Sequence, residues 1–134
     1  MRRALFLAAT LLVLPVLPAA ACEQIPIAAR VIEGPRFKLV VLSDPMPIPL
    51  NAPFAFDIRL CDARMAELPR LVRVDAWMPA HRHGMNYAPS LTKLDWGHYR
   101  AEGLLLHMPG EWEFAFDFIA LEREEQLSFR FDAQ

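Results

Sequence analysis

The sequence predicts an all-β chain, an immunoglobulin-like antiparallel β-sandwich of about seven strands preceded by a signal peptide. Three observations predict it. Four segments alternate apolar and polar residues with period two. Prolines and turn residues divide the chain into short runs. Only "CDARMAEL" could form a helical turn. A small barrel is the alternative closure of the same strands.

The chain opens with "MRRALFLAATLLVLPVLPAAAC". Arg2 and Arg3 give a basic start, an uncharged apolar run extends from Ala4 to Ala21, and Ala19 and Ala21 supply an A-x-A cleavage site. That is the order of a secretory signal over 1–21, leaving one small domain over 22–134. An uncleaved membrane anchor is one alternative, against which the short run and Pro15 and Pro18 count. Lipid attachment at Cys22 is another, against which Ala19 counts, because a lipobox usually has Leu at that place. The expected location is periplasmic or otherwise extracytoplasmic, with membrane attachment through Cys22 or an uncleaved N-terminus as the variants. Without Arg2 and Arg3 the 14 basic residues fall to 12 against 16 acidic ones, a net charge of −4. No basic patch or run is present, which argues against nucleic acid. Cys22 and Cys61 are the two cysteines. In an oxidising compartment they read as a disulfide, whereas lipidation of Cys22 would leave Cys61 free.

The strands follow in order. "RFKLVVLS", Arg36 to Ser43, is rich in β-branched and aromatic residues, and "PMPIPL" stops it. "FAFDIRL" places Phe54, Phe56, Ile58 and Leu60 on one face. "LVRVDAWM" places Val72, Val74, Ala76 and Met78 opposite Arg73 and Asp75. "HYRAEGLLLHM" alternates from Tyr99 to Leu105, then dissolves into "LLL". "EWEFAFDF" places Trp112, Phe114, Phe116 and Phe118 opposite Glu111, Glu113 and Asp117. "LSFRF" places Leu127, Phe129 and Phe131 against Ser128 and Arg130.

The chemistry-bearing residues crowd one stretch. All four histidines lie between Trp77 and Met108, and Met78, Met85 and Met108 bracket them. "WMPAH" and "LHMPG" echo each other, each placing Met-Pro at an expected strand end, where proline stops the ladder. If the two strands run alike, both corners lie at one end of the sandwich. In an extended loop His81, His83 and Met85 share one side, Gly84 permits a turn, and His107 and Met108 add donors from a facing strand. Imidazole plus thioether is a soft donor set that suits copper, Cu(I) in particular. Zinc would call for thiolate or carboxylate, and calcium or magnesium for oxygens. No Cys stands in the loop, so a blue-copper electron-transfer site is not expected. The metal ligands expected are therefore His81, His83, Met85, His107 and Met108, with His98 as an outside candidate. Trp77 and Trp112 would close the core beneath. Trp77, Tyr87, Trp96 and Tyr99 crowd the same stretch and could instead form a contact surface.

Enzymatic signals are thin. There is no Gly-x-Ser-x-Gly and no glycine-rich phosphate loop, and nothing in the spacing favours a triad of Ser90, His83 and Asp95. A non-enzyme is expected, with no small-molecule substrate in evidence.

"VDAWMPAHRHGMNYAPS" and "HYRAEGLLLHMPGEWEFAFDF" together resemble the YtkA-like domains and their FixH-like relatives. The shared features are Met78-Pro79, His83-Gly84, Tyr99, Met108-Pro109-Gly110 and Trp112, spread over Val74 to Phe118. The resemblance implies an exported immunoglobulin-like sandwich. Some relatives are associated with copper handling and with assembly of copper-containing respiratory oxidases. The expected function is a periplasmic Cu(I) carrier or buffer whose partner is a copper-receiving or membrane-bound respiratory protein. The alternative is a non-catalytic interaction or assembly module of the cell envelope without metal. The cleavable signal expected here departs from the FixH-like pattern, whereas "HRHGM" and His107-Met108 are richer in soft donors than the general pattern.

Overall fold

The computed structural model describes residues 22, 24–61, 68–121 and 123–134. The expected signal segment, 1–21, and most of the suggested helical turn, 62–67, lie outside them. Among the described residues nine strands are formed: β1 Arg30–Glu33, β2 Lys38–Asp44, β3 Phe54–Cys61, β4 Arg70–Met78, β5 His83–Gly84, β6 Ser90–Asp95, β7 His98–Leu104, β8 Gly110–Ala120 and β9 Arg123–Ala133. They build two antiparallel sheets, β1-β2-β3-β7-β6 and β5-β4-β8-β9. Without β1, the first sheet has the ABED order of an immunoglobulin domain; without β5, the second has the CFG order. Seven strands thus carry the expected scheme. The other two, of four and two residues, are short edge additions. Among the described residues no helix is long and apolar enough to cross a membrane.

Period-two burial follows the sequence closely in the central strands. Phe54, Phe56, Ile58 and Leu60 point inward from β3, and Trp112, Phe114, Phe116 and Phe118 from β8. The two sheets meet through these rings. Phe56 lies 5.0 Å from Phe114 and 6.3 Å from Phe129, in edge or tilted geometries that suit aromatic quadrupoles.

Three register shifts interrupt the pairing, at Leu71/Arg73, Phe54/Ala55 and Lys93/Asp95, and the first two bear on the expected core faces. In β4 the pairing jumps from Leu71↔Phe118 to Arg73↔Asp117, leaving Val72 as the extra residue. Leu71 is therefore buried and Val72 only half-buried, which corrects the expectation that Val72 lies on the core face. In β7 the pairing jumps from Ala55↔Glu102 to Phe54↔Leu104, and Gly103 takes the positive φ of 83° that the bulge requires. That is why alternation dissolves at "LLL": after the bulge Leu104, not Leu105, points inward. A third departure is Trp77. Parity on β4 turns it outward, where it is 44% exposed, so it does not close the core as expected. Trp112 does, at 0% exposure.

Cys22 is disulfide-bonded to Cys61, with Cα atoms 5.8 Å apart. The bridge holds Cys22, Gln24, Ile25 and Pro26 over the outer face of the five-stranded sheet, where they border a cavity of about 750 Å³ with Val40, Leu42, Asp57, Arg59 and Arg100. Val40 points away from the core yet is only 4% exposed. A sulfur engaged in this bridge cannot also carry a thioether-linked lipid.

On the opposite outer face Arg73 donates to Asp117 at 2.6 Å and Gln126 donates to it at 2.7 Å. Burial pushes the Asp117 carboxyl up, but these two hydrogen bonds and the Arg73 charge outweigh it, so the group titrates below its ordinary value. A carboxylate depressed in the folded state stabilises fully above its unfolded pKa of about 4, and that stability is lost as pH falls through the folded pKa. Asp117→Asn is therefore expected to lower stability at neutral pH and to flatten the acid limb below about pH 4, where the unaltered protein has itself lost this contribution. The pair is partly solvated, so the difference should stay within about 1 kcal/mol. Urea midpoints of the two proteins across that range check this. An unchanged acid limb counts against the assignment.

Candidate metal centre

The histidine stretch is a tight hairpin, not an extended loop. Met78 pairs with His83 and Trp77 with Gly84. Residues 79–82 close the turn, with the amides of His81 and Arg82 both donating to the Met78 carbonyl and Arg82 at φ 55°. The Met85 amide donates to Ala76 O, continuing the ladder. Cross-strand partners share a face, so His83 lies on the inward side with Met78, and Met85 with Ala76. His83 and Met85 thus keep the i, i+2 relation expected of them. His81 sits on the turn and is exposed.

His107 and Met108 arrive by a different route from the one expected. β7 ends at Leu104 and β8 starts at Gly110, in the other sheet. The dipeptide therefore lies in the crossover between sheets, not at the end of a facing strand. The two Met-Pro corners do meet at one end of the sandwich. The reason is that β4 and β8 are antiparallel neighbours, so the end of one lies beside the start of the other. Asn51 N donates to Leu106 O at 2.8 Å, fixing the entry to the crossover.

Three imidazoles form a chain at this tip. The ring centroids of His81 and His83 are 5.9 Å apart, and those of His83 and His107 are 5.1 Å apart with a 31° tilt. Trp112 packs against His83 at 5.7 Å and against His107 at 5.4 Å, both in T-shaped geometry. Met85 and Met108 are half-buried and pack against the core cluster.

Two imidazoles sharing one ion, with metal–nitrogen bonds of about 2 Å and an angle near or above tetrahedral, place their centroids roughly 5–6 Å apart. Both observed separations satisfy this, although tilted ring packing has the same spacing. The protonation chemistry separates the cases further. Nδ1 of His83 lies 3.2 Å from Gly84 O; a proton donated there leaves Nε2 with a lone pair. Nδ1 of His107 is buried without a hydrogen-bond partner. A buried polar atom left unpaired costs roughly 1–3 kcal/mol, so such an atom is rare unless something else engages it.

Among the described residues no three His, Cys, Asp or Glu side chains converge as one ligand group.

His98 is elsewhere. It begins β7, six residues and about 20 Å of strand from Leu104, and its Nε2 lies 2.7 Å from Asp57 Oδ2 on the outer face of the five-stranded sheet. Sequence reading missed this Asp57–His98 pair, because nothing local links residues 41 apart. The expected aromatic gathering also disperses. Tyr99 is in the core, Trp96 lies at the far β6–β7 turn with His98, and only Trp77 and Tyr87 flank the hairpin, 44% and 66% exposed.

No family model, curated protein or solved structure matches this chain.

Proposed function

We propose that this protein binds a copper ion, as Cu(I), at the hairpin–crossover tip, and carries or buffers it outside the cytoplasm. His83 and His107 are the central ligands. Met85 and Met108 supply thioethers from the same two segments, and exposed His81 is the ligand through which the ion enters and leaves. The observation that carries the reading is the unpartnered, buried Nδ1 of His107, 5.1 Å ring to ring from His83. Imidazole with thioether favours Cu(I) over hard cations. A site with one exposed ligand suits release to a copper-receiving membrane protein. The likeness of the Met-Pro, His-Gly and Met-Pro-Gly-x-Trp phrases to YtkA-like and FixH-like domains supports the same direction.

The test is a Cu(I) competition titration of the mature domain, repeated on His81→Ala with His83→Ala and on His107→Ala. Loss of at least tenfold in affinity is expected in each. Equal affinity in all three proteins would remove the tip from the site.

The exposed Trp77 and Tyr87 beside the hairpin favour a second reading, a metal-free docking module of the cell envelope. Absence of Cu(I) binding by the unaltered protein is the outcome that would favour it.

A further inference from the structure

We infer that Trp112 is the positioning residue of the tip, an inference that rests on the copper reading above. Its neighbours along the same face of β8 are phenylalanines, Phe114, Phe116 and Phe118. Filling this layer therefore needs only an aromatic ring. Indole adds two things here. Its Nε1–H donates to the carbonyl of Met108 at 3.0 Å, pinning the crossover that carries His107 and Met108. Its ring meets both His83 and His107 in T-shaped geometry, at interplanar angles of 70° and 77°. Trp112 belongs to β8, which is paired on both sides, by β4 and β9. One rigid strand thus sets the relation between ligand segments 24 residues apart. Groups that hold metal ligands in place are typically worth 10–100-fold in affinity.

Trp112→Phe keeps the ring and removes the N–H. It is expected to bind Cu(I) about tenfold more weakly at a temperature where circular dichroism shows it folded. A second variant needs no change at Trp112. Trp77→Phe with Trp96→Phe alters two exposed side chains and leaves Trp112 as the sole tryptophan of the three in the chain. Its emission is expected to change with Cu(I) and to saturate at the stoichiometry of the titration. A structural role alone would lower the unfolding midpoint and leave the Cu(I) affinity of the folded Trp112→Phe protein unmoved, while the emission change locates the ion beside Trp112. If the sole-tryptophan emission responds to Cu(I) while Trp112→Phe binds it equally, positioning by Trp112 is overturned and the copper reading stands; if the protein binds Cu(I) while that emission stays constant, the ion is not at the tip and both fall. If the unaltered protein binds no Cu(I), both fall.

Discussion

Phe114→Ala is expected to lower the free energy of unfolding by about 3–5 kcal/mol, the range for emptying a fully buried phenylalanine site. Phe114 sits inward on β8 with 0% exposure. Its ring meets Phe56 at 5.0 Å and Phe54 at 6.1 Å on the facing sheet, and Phe129 at 5.1 Å on the neighbouring strand. A side chain in contact with both sheets leaves a cavity that neither can collapse into without moving the other, which puts the cost at the upper part of the range. Domains of this size have roughly 5–15 kcal/mol in all, so the variant should be close to unfolding at room temperature. Denaturant unfolding measures it. A loss under about 1 kcal/mol would mean that the sheets do not meet through this ring.

The second large effect concerns the bridge. Cys22 and Cys61 are 39 residues apart, and the chain-entropy relation gives about 4 kcal/mol for closing such a loop. Cys22→Ser with Cys61→Ser should cost a stability of that order, because the denatured chain regains the freedom of the loop. It should also release Gln24, Ile25 and Pro26 from the outer face and admit water to Val40, which can be followed by hydrogen exchange in β2. Cu(I) affinity should be unchanged while the protein is folded. Cys61 follows Arg59, which pairs with His98, and so lies at the end of the sandwich away from the hairpin. An undiminished midpoint would show that the bridge does not constrain the chain, and a drop in copper affinity that the two ends are coupled.

Most of the sandwich could be read from the sequence because β3 and β8 each bury one face over seven or more residues, and β9 half-buries Leu127, Phe129 and Phe131 at the same period. At that length the alternation of side chains leaves a clear trace. β1 and β5 could not be, since four and two residues carry no usable period. The misplacement of Val72 comes from the inserted residue at Leu71/Arg73, which reverses parity for everything upstream and leaves no local mark. Gly103 did leave one, in the broken alternation before "LLL". Trp77 illustrates a different failure: a large aromatic suggests a core position by type, but parity on β4, fixed by Ala76 and Met78, decides otherwise. At the tip, the relation of His83 to Met85 follows from strand geometry alone. The approach of His107 required knowing that β7 and β8 lie in different sheets, which is a property of topology. The indole bond to Met108 O could not be read from spacing.

The two halves of the tip are joined only through the packed sandwich. His83 is held by β4, while His107 lies where the chain leaves one sheet for the other, with the whole β6–β7 hairpin between them in sequence. A chain still emerging, or one that has come apart, can offer "HRHGM" or "HMPG" singly but never both in register. Any visitor that needs both segments at once therefore distinguishes finished molecules from unfinished ones. Its residence would in turn hold the sheets closed, since parting them means letting it go.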